Sequence, residues 1–159
     1  MGYTYGDIVT LAKAAEDANF YSFTVSDHFF GNMESVEKHA HDAWTLIALL
    51  TPQTERIRLG TLVTCQSYRN PALVAKIAAN LDNASNGRID FGIGAGWKKS
   101  EYEGYGYHFP STNRRKKVLV YFISTFFLFK EWARGTSTFS KPSEKFASTF
   151  SLFTGLPKV

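Results

Sequence analysis

Three short runs rich in β-branched and aromatic residues recur along the chain, each separated from the next by a segment with helical spacing. "FYSFTVS" (20–26), "RIRLGTLVT" (56–64) and "RIDFGIG" (88–94) read as strands. Residues 6–19 place Ile8, Leu11, Ala12, Ala15 and Ala18 on one helical face with charges opposite. Residues 42–52 read as a helix with Asp42 as N-cap and Pro52 beyond its end. Residues 70–87 form the next helix, with Pro71 at its first position, where a missing N–H goes unnoticed. Residues 111–135 read as a long helix closed by Gly135. Strands alternating with helices of this length predict parallel β/α units, because parallel neighbours need a long crossover. Ligands of such folds sit at the carboxyl ends of the strands. Those ends are Asp27-His28, Leu62–Cys65 and Gly94–Trp97, so three signals converge on one predicted face.

Composition narrows the function classes. A hydrophobic fraction of 44% with 20% charged residues predicts a folded soluble domain. No apolar run approaches the ~20 residues of a membrane helix, and "MGYTYGDIVTL" lacks the pattern of a signal peptide, which predicts the cytoplasm. The single Cys65 excludes an intrachain disulfide and a thiolate zinc site. The net charge of +4 comes from the second half, where "NRRKK" (113–117) is the densest basic run. No nucleic-acid recognition motif accompanies it, so it reads as a solvated helix face or a seat for one phosphate. "HAHDAW" (39–44) offers two histidines but no evident third metal ligand, and no metal is expected.

"GIGAG" (92–96) poses a separate question. Its spacing is not the G-x-G-x-x-G of a dinucleotide fold, and the later acidic partner is missing. Alternation in a strand puts Gly92, Gly94 and Gly96 on one side. Such a bare face lets a flat group approach the backbone, or makes room for neighbouring side chains. The spacing alone allows both.

"AEDANFYSFTVSDHF" and the stretch from "ERIRLGTLVTCQSYRNP" to "GIGAGWKKSEYEGYGYHFP" resemble the luciferase-like flavin-dependent oxidoreductases. The resemblance runs over about residues 5–117 and is closest to the subgroup that uses the deazaflavin coenzyme F420. It implies a (β/α)₈ TIM barrel that binds F420, or alternatively FMN, at the strand ends and transfers hydride to or from a small organic substrate. FMN-using members instead act as monooxygenases. An Asp at the position of Asp27 contacts the deazaflavin, and a His at that of His28 lies over its reacting face as proton donor or acceptor. Both are therefore assigned to catalysis, Asp27 to cofactor binding as well. Leu62–Val63 matches a non-prolyl cis peptide supporting the flavin ring, with Thr64 beside it. Ala95, Gly96 and Trp97 match the loop along the ring and ribityl chain, with Ser100 nearby, and on this reading the glycines leave room for the flavin. Trp97 stands where some relatives carry an acid, so no acid role is carried over.

A full barrel takes about 250 residues, and this chain has 159. The expectation is a partial, truncated barrel over 1–135 with an irregular Ser/Thr/Phe-rich tail over 136–159. A partial barrel exposes apolar interior surface and unpaired strand edges. That predicts a homo-oligomer, a complementing C-terminal half, or a remnant that binds flavin or a partner without turnover. Nucleic acid and membrane are not among the expected partners.

Overall fold

The computed structural model describes residues 3–31 and 40–133. The elements in order are α1 (Tyr5–Asp17), β1 (Ser22–Val25), α2 (Ala43–Leu50), a 3₁₀ turn (Thr51–Gln53), β2 (Arg58–Cys65), α3 (Pro71–Ala84), β3 (Ile89–Gly94), α4 (Lys99–Gly104) and α5 (Thr112–Ala133). The three strands form one parallel sheet in the order β1-β2-β3. Every predicted strand and helix is present to within a few residues. Gly135 and the tail over 136–159 lie outside the described residues.

The helices begin where side chains can satisfy their free amides. Thr4 and Asp7 form a reciprocal capping box on α1. Asp42 accepts from the Thr45 amide at the start of α2, and Asn70 caps α3 ahead of Pro71. Glu16, near the end of α1, accepts from the amides of Glu55, Arg56 and Ile57 and so ties α1 to the entry of β2.

The core lies between the sheet and its helices. Leu59 of β2 with Ile89, Phe91 and Ile93 of β3 meets Trp44, Ile47 and Leu50 of α2 and Val74, Ala75 and Ala78 of α3. Phe122 of α5 closes it, only 1% exposed. Each fully buried aliphatic side chain contributes about 1.5–3 kcal/mol.

The opposite face of the sheet differs from the apolar interior expected of a partial barrel. By register Thr24, Gly60 and Asp90 share that face, as do Ser22 and Arg58. Arg58 Nε donates to Asp90 Oδ1 across it at 2.8 Å. It is a surface of glycine and polar groups, among them the Arg58–Asp90 pair, because hydrophobic burial is concentrated on the helix side. An apolar groove of about 550 Å³ lies along the outer edge of β1, lined by Ile8, Leu11, Phe23, Val25 and Leu46 among others. Among the described residues no strand pairs with that edge.

Candidate active site

All three strands point their carboxyl ends at one cleft of about 280 Å³, lined by Asp27, His28, Leu62–Cys65, Tyr68 and Gly94–Lys98. Parallel strands with helical crossovers bring these loops together, although they are far apart in sequence.

The floor is shaped by an irregularity in β2. The Leu62-Val63 peptide is cis, and the pairing with β3 jumps there: Thr61 faces Phe91 but Thr64 faces Ile93. Thr61 and Thr64 close the bulge with a 2.7 Å hydroxyl hydrogen bond, and Thr61 donates on to the Gly92 carbonyl. The bulge leaves Leu62 51% exposed and presses Val63 against β3. A Cβ on Gly92 would lie 2.4 Å from the Thr61 carbonyl oxygen, and one on Gly94 2.8 Å from Val63 Cγ2. Gly96 has left the strand with φ +76°, and a Cβ there would strike the Tyr102 hydroxyl at 2.0 Å. The glycine series is therefore not one bare strand face. Its space is taken by the chain's own Val63 and Tyr102, and these contacts let the floor form.

Asp27 is 4% exposed. Arg69 grips it through two hydrogen bonds of 2.7 and 2.9 Å, and the Cys65 amide donates to it at 2.9 Å. Arg69 also pairs with Asp42. Burial opposes the ionised form of Asp42, but the Thr45 amide and Arg69 outweigh it and hold the carboxyl below its ordinary value. The carboxylate assigned by resemblance to catalysis and cofactor contact is thus turned toward Arg69. In this geometry Asp27 positions the end of β1 against the end of β2.

His28 faces the cleft with its ring edge-on to Trp97, centroids 5.6 Å apart. Its Nδ1 lies 2.9 Å from Glu101 Oε2. Glu101, on α4, is wholly buried. It also accepts from the Phe29 and Phe30 amides, the Tyr68 hydroxyl at 2.8 Å and the Lys98 ammonium at 3.0 Å. Burial works against this carboxylate, yet the hydrogen bonds from His28, Phe30, Tyr68 and Lys98 outweigh it and hold Glu101 below the usual carboxylate range. Burial, and then the Glu101 hydrogen bond, push the Tyr68 phenol well above its ordinary value, so it stays a donor. Burial likewise pushes the Cys65 thiol up, so it supplies no thiolate.

The structure brings together the expected His28, Leu62, Val63, Thr64, Ala95, Gly96 and Trp97. Ser100 does not join them: it is exposed on α4 and does not line the cleft. Arg115 reaches back to the Pro110 carbonyl and lies over the Phe109 ring. Sequence reasoning missed α4, Glu101 and Arg69. "KSEYEG" is too short to show a helical period, and an ion pair 42 positions long leaves no local pattern.

The walls suit a flat, partly polar ring: Leu62 and Trp97 are exposed apolar surfaces, and His28 is the polar group beside them. Lys98, which lines the cleft, and Arg69, which holds Asp27 behind it, are both engaged by carboxylates. The described residues fit a deazaflavin or flavin ring rather than its phosphate arm.

Comparison with known proteins identifies the family and the fold. The sequence profile of the luciferase-like monooxygenase family matches residues 2–120. The chain is 32% identical over 112 residues to the F420-dependent glucose-6-phosphate dehydrogenase of Amycolatopsis mediterranei, covering 69% of this chain and 33% of that enzyme. It is also 32% identical over 136 residues to pyrimidine monooxygenase RutA of Serratia proteamaculans, covering 82% and 36%. An F420-dependent secondary alcohol dehydrogenase, solved with an F420-acetone adduct, superposes with a TM-score of 0.72 at 28% identity, covering 79% of this chain and 38% of that one. The chain belongs to the luciferase-like monooxygenase family, and its fold is part of that family's α/β barrel. It spans about a third of the length of the curated relatives it matches.

Proposed function

We propose that the chain forms the deazaflavin-ring half of an F420-dependent oxidoreductase that transfers hydride to or from a small organic substrate. The observation that carries this reading is His28. It stands at the carboxyl end of β1, with Nδ1 tied to a buried carboxylate and its ring against Trp97. Bound F420 would accept or give the hydride. Leu62, Val63 and Ala95 would carry the ring, Gly96 keeps the loop packed on the Tyr102 hydroxyl, and Trp97 would wall the ring from water. His28 exchanges the accompanying proton: when a hydroxyl carbon loses hydride, the hydroxyl proton passes to the imidazole as the carbonyl forms. Asp27 holds this loop through Arg69.

The 32% identity to a pyrimidine monooxygenase keeps FMN-dependent oxygenation as a second reading. Titration of the purified chain with F420 and with FMN, followed by cofactor fluorescence, separates the two. Saturable F420 binding, with substrate-dependent F420 reduction lost in His28→Ala, supports the first. FMN binding with oxygen consumption and no F420 binding supports the second. Binding of a cofactor without turnover would identify a non-catalytic half-site that needs a complementing chain.

A further inference from the structure

Glu101 is the one carboxylate at this end of the sheet that all three strand-end loops contact, among the described residues. The loop after β1 gives it His28 Nδ1 and the Phe29 and Phe30 amides. The loop after β2 gives the Tyr68 hydroxyl, and the segment after β3 gives Lys98 and carries Glu101 itself. Five donors converge on two oxygens that have about four lone pairs. An ionised carboxylate only accepts. The nitrogen of His28 that faces Glu101 must therefore carry a hydrogen, which leaves Nε2 without one in the neutral ring.

We propose that Glu101 is a positioning residue that fixes His28 as the Nδ1–H tautomer and so makes Nε2 the proton-exchanging atom of the cleft. The inference gives a role to α4 and rests on the reading of His28 as the proton carrier. Several contacts support it. The Nδ1 contact is short and doubled, at 2.9 Å to Oε2 and 3.1 Å to Oε1, so the ring is held in its plane as well as at its edge. Trp97 meets the ring edge-on at an interplanar angle of 78° and packs beside it. The Phe29 and Phe30 amides fix the backbone just after His28 to the same Oε1. Lys98 Nζ compensates the buried charge, so Glu101 need not take the proton from Nδ1 to become neutral. Tyr68 cannot accept that proton either, since it already donates its own. A histidine so held presents one basic nitrogen outward, whereas a freely rotating ring divides between two tautomers.

The tautomer is read in the ligand-free chain by ¹⁵N NMR, using long-range correlations from the ring carbons' protons to both nitrogens. His28→Gln identifies the signals. At a pH where the ring is neutral, the wild type should show a protonated Nδ1 and an unprotonated Nε2, the reverse of the form free histidine favours. Glu101→Gln should shift the population toward Nε2–H, while Glu101→Asp, which keeps a carboxylate, should retain a larger share of Nδ1–H. An Nε2–H wild-type ring overturns the proposal, and that result is available even if neither variant folds. Equal tautomer populations in wild type and Glu101→Gln overturn it as well. Because no cofactor is present, the result is independent of the functional reading. If F420 turnover is found, Glu101→Gln should lower kcat by about 10²-fold or more with a smaller effect on KM. If no F420 binds, the functional reading fails while the tautomer remains decided by the spectrum.

Discussion

The two sides of the β2-β3 pair show how differently one sheet can be secured. On the helix side Leu59, Ile89, Phe91 and Ile93 pack against Trp44 and aliphatic side chains of α2 and α3, and the contact is mostly apolar. At the carboxyl ends the same strands finish among charges. Asp27, Arg69 and Asp42 form one chain of ion pairs, and Glu101 pairs with Lys98 and accepts a hydrogen bond from His28. Hydrophobic burial is non-directional and tolerates adjustment. Buried ion pairs are directional and fail when one partner is lost. The helix side thus supplies most of the stability, while the cleft end fixes the direction of a few groups.

The largest effect should come from breaking the cleft network on one side only. Arg69→Met leaves Asp27 as a buried charge without its cation, and a loss of about 3–5 kcal/mol is expected in urea unfolding. Leu59→Ala opens a cavity in the core at a cost of about 2–5 kcal/mol, but the His28 tautomer should stay unchanged. A tautomer shift in Leu59→Ala would merge the two regions that the account keeps apart.

Gly92→Ala tests the boundary between them, because its Cβ would lie 2.4 Å from the Thr61 carbonyl oxygen in the bulge. Overpacking of this kind costs about 1–3 kcal/mol, and cofactor binding should weaken together with stability. Acid should weaken the cleft end, together with Asp7 and Glu16 of α1, which are likewise held below their ordinary values. Glu101 and Asp42 are held below their ordinary values of 4.5 and 3.8, so their contribution is complete above those values. It is lost as pH falls below them toward the depressed values of the folded state. Unfolding free energy measured against pH should therefore fall through this range in the wild type, and less steeply in Glu101→Gln. The smallest effect belongs to Arg58 and Asp90, both partly exposed. A double-mutant cycle there should give a coupling below about 1 kcal/mol.

The helix side was legible in the sequence because packing leaves a period. Ile8, Ala12 and Ala15 mark α1, Pro71 and Asp42 mark helix starts, and β-branched runs mark the strands. The convergence of Asp27-His28, Leu62–Cys65 and Gly94–Trp97 followed from the parallel order, and the cis bond at Leu62-Val63 followed from the resemblance. The polar network was not legible. Arg69 gave no sign that it would meet Asp27, and Glu101 lay in a short run of acids and tyrosines with no period of its own. Gly96 looked like a third strand glycine because its spacing matched. Its positive φ belongs to the turn that admits the Tyr102 hydroxyl, which only the folded chain reveals.

On the proposed function, the strand-end cleft seats a deazaflavin ring against Trp97. Tryptophan emission of the wild type and of Trp97→Phe, recorded during F420 titration, tests it most directly. A ring seated there gives saturable quenching in the wild type, with the Trp97 component, taken as the difference between the two proteins, extinguished at saturation. F420 binding that leaves the Trp97 component unquenched would place the cofactor elsewhere and contradict the account.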